Sequence, residues 1–273
     1  MTTWILLRGL TRGSGHWGQF PDLLRAHLPI GDQILTPDLP GNGAACHLRS
    51  ASRVSDMVAQ LRQATGIGAA STPVRLIAMS LGAMIATEWA YTHPEEIQAC
   101  VLINTSMRPF SPFWHRLRPQ NYGRIASLLM RRASADEWEQ AILDMTSRHP
   151  ADPFSTRQAW CQLRAHQPVQ TSNALRQLWA AAKYRAPNVP PRVPMLILNG
   201  QGDRLVHPSC SAQVAKAWQT PILTHPTAGH DLPLDAGPWV AQQIAAWAQH
   251  LPSPALRPAH PADPESADSI RRS

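Results

Sequence analysis

Lysine is nearly missing from this chain. Lys183 and Lys216 are its only examples, so arginine carries almost all the positive charge of 25 basic residues. Cysteine is sparse too. Cys46, Cys100, Cys161 and Cys210 are widely scattered, with no C-x-x-C pair and no histidine cluster at zinc-ligand spacing. That excludes a disulfide framework and a structural zinc as organising devices, and reduced thiols become the default. No run approaches the roughly 18 apolar residues that a membrane-spanning helix needs. The start, Met1 to Arg8, has no basic segment ahead of a long apolar run, so nothing there reads as a secretory signal. The expectation is a cytoplasmic protein without a membrane span.

What is present suits a soluble globular enzyme: 273 residues, 44% hydrophobic and 16% charged, enough for one large core or two small ones. A net charge of +7 raises the question of nucleic acid. Most arginines are scattered, however, and no recognition motif accompanies them, so no nucleic-acid partner is expected. A coding bias toward arginine accounts for the excess more simply. One stretch stands apart. From Met107 to Arg132 there are six arginines (Arg108, Arg116, Arg118, Arg124, Arg131, Arg132) and no acid. Such a field steers an anionic substrate or an acidic partner, or is simply a solvated surface.

The first 105 residues alternate apolar, β-prone runs with helical patterns. Strands are expected at 4–8, 34–37, 74–79 and 99–104, and helices at 16–28 and 52–64 and again after Ser80. Apolar strands separated by helices indicate a parallel sheet covered on both faces. From residue 107 to 190 the strand-like runs vanish, and helices are expected at 122–130, 135–146, 155–166 and 173–182. Pro187, Pro190, Pro191 and Pro194 mark a return to alternation: a strand at 194–199, a helix at 209–218, a strand at 221–224 and a helix at 238–250. The expected organisation is a core in two parts, 1–106 and 191–251, with a helical cap at 107–190. A tail, 252–273, has too few large apolar residues to pack and reads as disordered.

The chemistry concentrates in three places. Val74-Arg75-Leu76-Ile77-Ala78-Met79-Ser80-Leu81-Gly82 is an apolar run broken by one serine, with small residues two before and two after it. That is the layout of a nucleophile elbow, a tight strand-to-helix turn that lifts the serine hydroxyl off the sheet. Asn199-Gly200-Gln201-Gly202-Asp203 places a carboxylate in the turn after a later strand, and Ala228-Gly229-His230-Asp231 follows the last strand. Each has a plainer reading alone: Ser80 as a helix cap, Asp203 as a turn former, His230 as a loop histidine. Together, in the order serine, acid, histidine and all after strands of one parallel sheet, they make a triad. A hydroxyl needs a base to become a nucleophile, and imidazole titrates near neutrality. Asp203 would fix the tautomer. Asp231, adjacent to His230, points away from it by its place in the chain, and Asn104 carries no charge.

On these residues the chain resembles the α/β-hydrolase superfamily over residues 4 to 250, with small cytosolic capped esterases, such as pimeloyl-acyl-carrier-protein methyl ester esterases, as the nearest-looking members. The resemblance implies a mostly parallel sheet of about six strands with helices on both faces, Ser80, Asp203 and His230 as triad, and no cofactor. The usual N-terminal hairpin is missing. Arg8-Gly9 aligns with the family's His-Gly pair, so Leu10 N–H would join Leu81 N–H in an oxyanion hole. Arg8 in place of histidine, and Ala78 in place of the elbow's first glycine, depart from the pattern. His16 and Trp17 in the Gly13–Trp17 loop, and Phe110, Phe113 and Trp114 in the cap, are the candidate substrate contacts. The glycines of that loop do not form a dinucleotide fingerprint. The expected function is cleavage of a small-molecule carboxylic ester or acyl substrate through an acyl-enzyme, with no metal. The alternatives are an esterase for acyl groups on an acidic carrier protein, a lyase, or a non-catalytic receptor on the same scaffold. The scarcity of lysine counts against the lyase, which usually needs an extra cation beside the triad.

Overall fold

The computed structural model describes residues 1–68 and 71–251; the tail 252–273 lies outside the described residues. Six strands form one sheet: β1 (Thr3–Leu7), β2 (Gln33–Leu35), β3 (Val74–Met79), β4 (Ile97–Ile103), β5 (Met195–Gly200) and β6 (Ile222–His225). Their order is β2-β1-β3-β4-β5-β6, and every pairing is parallel. Parallel neighbours cannot be joined by a tight turn, so helices carry the crossovers. These are α1 (Phe20–Arg25), α2 (Val54–Thr65), α3 (Leu81–Thr92) and α9 (Ser209–Trp218), while α10 (Leu232–Ala248) follows β6. Between β4 and β5 the chain runs instead through α4 (Phe113–Arg116), α5 (Tyr122–Met130), α6 (Ala135–Thr146), α7 (Pro153–His166) and α8 (Thr171–Lys183). Among the described residues no helix is long and apolar enough to cross a membrane.

Strand side chains alternate between two cores. Ile5, Leu7, Leu76, Ala78, Cys100, Leu102 and Ile197 face α2, α3, α8 and α9. Trp4, Leu6, Ile77, Met79, Val101, Ile103, Leu196 and Leu198 face α1 and α10. A central strand buried on both sides must be apolar throughout, which is why β3 shows no polar alternation. Its exception, Arg75, lays its guanidinium 5.0 Å from the Trp4 ring and donates to Gln98 at 2.8 Å.

Several boundaries differ from expectation. The helix anticipated at 16–28 is a short 3₁₀ turn (Ser14–Trp17) followed by α1, because Gly18 takes a positive φ of 53° between them. α10 runs from Leu232, but a kink at Ala236 (φ −146°) divides it, so the helix expected from Pro238 follows a separate first turn. The four-residue α4 was not anticipated; Phe113-Trp114-His115-Arg116 is too short to show a helical period.

The chain reverses direction across the sheet between β1 and β3, and in open parallel sheets ligands bind in the crevice at that point. Close packing there depends on Gly82: a Cβ would meet the carbonyl oxygens of Leu7 at 2.5 Å and Arg8 at 2.7 Å. Both are backbone atoms, with little freedom to yield. Gly82→Ala is therefore expected to cost about 2–3 kcal/mol, read as a lowered urea midpoint with an unchanged slope.

Candidate active site

Ser80 follows β3 and caps α3 with φ 55° and ψ −116°, a conformation that strains any residue with a side chain. The surroundings hold it there. Ser80 N–H donates to Ile103 C=O at 3.0 Å, and Ser80 C=O accepts from Ala83 N–H at 3.1 Å. Ala78 is fully buried beneath the turn. The loop after β1 lies against the serine so closely that a Cβ on Gly9 would sit 3.0 Å from Ser80 Cβ. Leu10 follows in that loop. Leu81 is the first residue of α3, so its N–H has no partner inside the helix.

Asp203 follows β5 and His230 follows β6. His230 Nδ1 lies 2.7 Å from Asp203 Oδ2, and both side chains are buried. The other oxygen, Asp203 Oδ1, accepts from Leu205 N–H and Val206 N–H, each at 2.8 Å. With Oδ1 saturated by the backbone, Oδ2 is left for the imidazole, which orients the ring.

Asn104, at the end of β4, connects these loops. Its side-chain amide donates to the carbonyls of Gly229 (3.0 Å) and His230 (2.7 Å), while its Oδ1 accepts from Gly200 N–H at 2.9 Å. The preceding residue, Ile103, accepts from Ser80 N–H. Two adjacent residues, the last of β4 and the one after it, thus anchor the serine turn, the strand that leads to the acid and the histidine loop. Asn104 has a φ of 45°, a conformation asparagine tolerates better than most residues. Sequence reasoning weighed it only as an acid and missed this role; an asparagine ending the strand next to the elbow was the available signal.

A family model for the alpha/beta hydrolase fold matches residues 4–236. The chain belongs to the α/β-hydrolase fold family. Solved structures agree on the fold. A thermophilic esterase from Thermogutta terrifontis is 20% identical, with a TM-score of 0.67 over 91% of this chain and 90% of that one. A lipase-esterase related protein from Clostridium acetobutylicum is 14% identical, at 0.66 over 90% and 93%. The 2-hydroxy-6-oxo-6-phenylhexa-2,4-dienoate hydrolase of Rhodococcus sp. strain RHA1 is 15% identical, at 0.69 over 91% and 90%. No curated protein matches.

In this hydrolase fold the position of Arg8 acquires a purpose. Its guanidinium makes a two-pronged pair with Asp231 (3.1 and 2.7 Å), 5% exposed, and lies 4.8 Å from the Trp17 ring. It fastens the Gly9–Leu10 loop to the histidine loop and takes Asp231 out of contention as a triad acid. Asp235, in the first turn of α10, accepts from Gly229, Arg148 and His149 N–H groups and from the Ser147 hydroxyl, while Asp231 N–H donates to Thr146 C=O. The C-terminal end of α6 is thereby fixed to the histidine loop.

The five anticipated substrate contacts have the following neighbours. Trp17 is buried in the α1/α10 core, stacked on Phe20. His16 lies beside the Arg12–Glu139–Arg164 ion pairs, its ring 5.8 Å from Trp160. Phe110 packs edge-on against Trp218, and Phe113 lies against Trp114, both of the latter pair exposed. Neither cavity lined by these residues includes Ser80. Among the described residues the one group of side chains close enough to share a metal ion is His93, Glu95 and Glu96. It lies at the opposite edge of the sheet, and Glu96 is held by Arg62 and Trp89.

Asn104→Ala would strand two carbonyls and one N–H in a buried setting. A loss of about 3 kcal/mol is expected in denaturant unfolding. His16 supplies a pH signature. Burial, then the positive charges of Arg12 and Arg8, push it down to about 2, so it is neutral and accepts from Arg12 Nη1 at 2.9 Å. Below pH 6.5 the unfolded chain takes up a proton that the native state refuses, so this contribution falls as pH falls toward 2. Between pH 6 and 5 the wild type should lose about 1.2 kcal/mol more than His16→Gln, measured by urea unfolding at each pH.

Proposed function

We propose that this α/β-hydrolase is a serine esterase that cleaves a small-molecule carboxylic ester through an acyl-enzyme. The observation that carries the reading is the placement of Ser80, on a strained turn against Gly9, on the same β4 anchor as the loop holding the His230–Asp203 pair. In the reaction, His230 Nε2 takes the Ser80 proton as Oγ attacks the ester carbonyl. Asp203 holds the Nδ1–H tautomer and stabilises the imidazolium. Leu10 and Leu81 N–H groups receive the oxyanion; one such donor contributes about 3 kcal/mol of transition-state stabilisation. His230 returns the proton to the departing alcohol, and water activated by the same ring releases the acid. Among the described residues Ser80 Oγ and His230 Nε2 make no hydrogen bond; such contacts commonly tighten only when substrate arrives.

The esterase from Thermogutta terrifontis shares the fold, which agrees with this reading; the hydrolase from Rhodococcus acts on a dienoate. A carrier protein is less well supported than a free ester. Arg124 is paired with Asp144 and Arg131 with Glu137, so two of the six arginines of the anticipated basic field are neutralised within the chain.

A fluorophosphonate probe should label the wild type and leave Ser80→Ala unlabelled; an unlabelled wild type would favour a receptor. Asp203→Asn should lower kcat on a p-nitrophenyl ester by about 10⁴, with little change in the urea midpoint.

A further inference from the structure

Arg108 and Arg116 are the members of the arginine stretch that bear on a second region. Among the described residues neither forms an ion pair, and the fold brings a third arginine to them. Arg108 and Arg185 form an isolated parallel bridge, closed by Ala186 N–H donating to Arg108 C=O at 2.7 Å. Arg108, Arg116 and Arg185 line an open groove of about 630 Å³ with Phe110, Ser111 and Phe113. No acidic residue lines it, and neither does Ser80, Asp203 or His230. The volume falls within the range of small-molecule sites.

Two polar groups on its wall are incompletely satisfied. Arg116 uses Nη2 and Nη1 to cap α8, on the carbonyls of Ala181 (2.6 Å) and Ala182 (3.4 Å), and its Nε is buried without a partner. Ser111 is 5% exposed; its hydroxyl faces only the weakly bonding thiol of Cys210 and makes no hydrogen bond of ordinary geometry. Burial, and then the positive charge of Arg108, lower the pKa of Arg116. Neighbouring like charges with no counter-charge are a cost that a bound anion would reduce. The apolar side is equally unpartnered. Phe113 is 68% exposed and Trp114 against it 50%.

A hydrated basic surface would explain the charges without explaining the bare rings. An acidic protein would match the charge, but a concave groove of this size suits a small molecule better than a flat partner face.

We propose that this groove is a second binding site, separate from Ser80, for an amphipathic organic anion. A carboxylate or phosphate head would engage the guanidinium groups of Arg108, Arg116 and Arg185, and an acyl- or aryl-sized body would cover Phe110 and Phe113. Arginine forks suit both head groups.

The test is calorimetric titration of the full chain with octanoate, octyl phosphate, octanol and acetate. One of the two amphiphilic anions, or both, should bind at 1:1 stoichiometry to wild type and Ser80→Ala alike, and the stronger identifies the head group. Octanol and acetate, each with half of the chemistry, should bind at least tenfold more weakly. Arg108→Gln combined with Arg185→Gln, both at exposed positions, should weaken binding at least tenfold. So should Phe113→Asp, which leaves every arginine in place. The proposal is overturned if neither amphiphile saturates, if octanol binds equally well, or if both variants retain wild-type affinity. Weakened binding in the Arg108→Gln/Arg185→Gln variant with fluorophosphonate labelling unchanged separates this site from the esterase reading, which can fail independently.

Discussion

The buried side-chain amide of Asn104 is the constraint on which the edge of the sheet depends. Three loops, each following a different strand, must meet there, and loops lack the ladder bonds that hold strands in register. Asn104 supplies substitutes, donating twice to the histidine loop and accepting once from the end of β5. Inside a protein such a bond gains strength from the low dielectric, and for the same reason its loss leaves groups that water cannot rescue. A carboxylate could not replace it, because two of the three partners are carbonyl oxygens that need a donor.

Charge reinforces what the amide begins. Arg8–Asp231 joins the Gly9–Leu10 loop to the histidine loop, and Arg12–Glu139–Arg164 joins the same β1 loop to α6 and α7. Buried pairs of this kind add little net stability against apolar replacements, yet removing one partner leaves an uncompensated charge costing about 3–5 kcal/mol. Their contribution is therefore geometric. They specify which loop meets which, at the place where a strained Ser80 must be kept from relaxing into ordinary helix geometry. The helices between β4 and β5 take part through Asp235, whose carboxylate gathers the end of α6 and the turn before His230.

Much of this was legible along the chain because its signals are local. Apolar β-prone runs such as Val74–Met79 identify central strands, the strand expected at 99–104 is β4 displaced to Ile97–Ile103, and α6 and α9 have the boundaries their periodicity suggests. The small residues around Ser80 announce a turn that only small neighbours permit. What was not legible is long-range. Nothing within twenty residues of Arg8 indicates Asp231, and Phe110 and Phe113 line a groove of arginines completed by Arg185, a meeting that no spacing encodes. Trp17, a candidate substrate contact by its loop, packs on Phe20 in the α1/α10 core, a placement that its neighbours in sequence do not encode.

The order of strand, turn and helix was thus determined by the sequence alone, since hydrophobic period, glycine and proline act over a few residues. So was the choice of candidate side chains for the chemistry. Only the tertiary structure decided their partners: that Asp203 rather than Asp231 meets the imidazole, that Asn104 is an anchor, and that two arginines of a six-arginine stretch converge with a third. The reason is that hydrogen bonds and ion pairs reach about 3 Å, and which groups come that close depends on how the whole sheet folds.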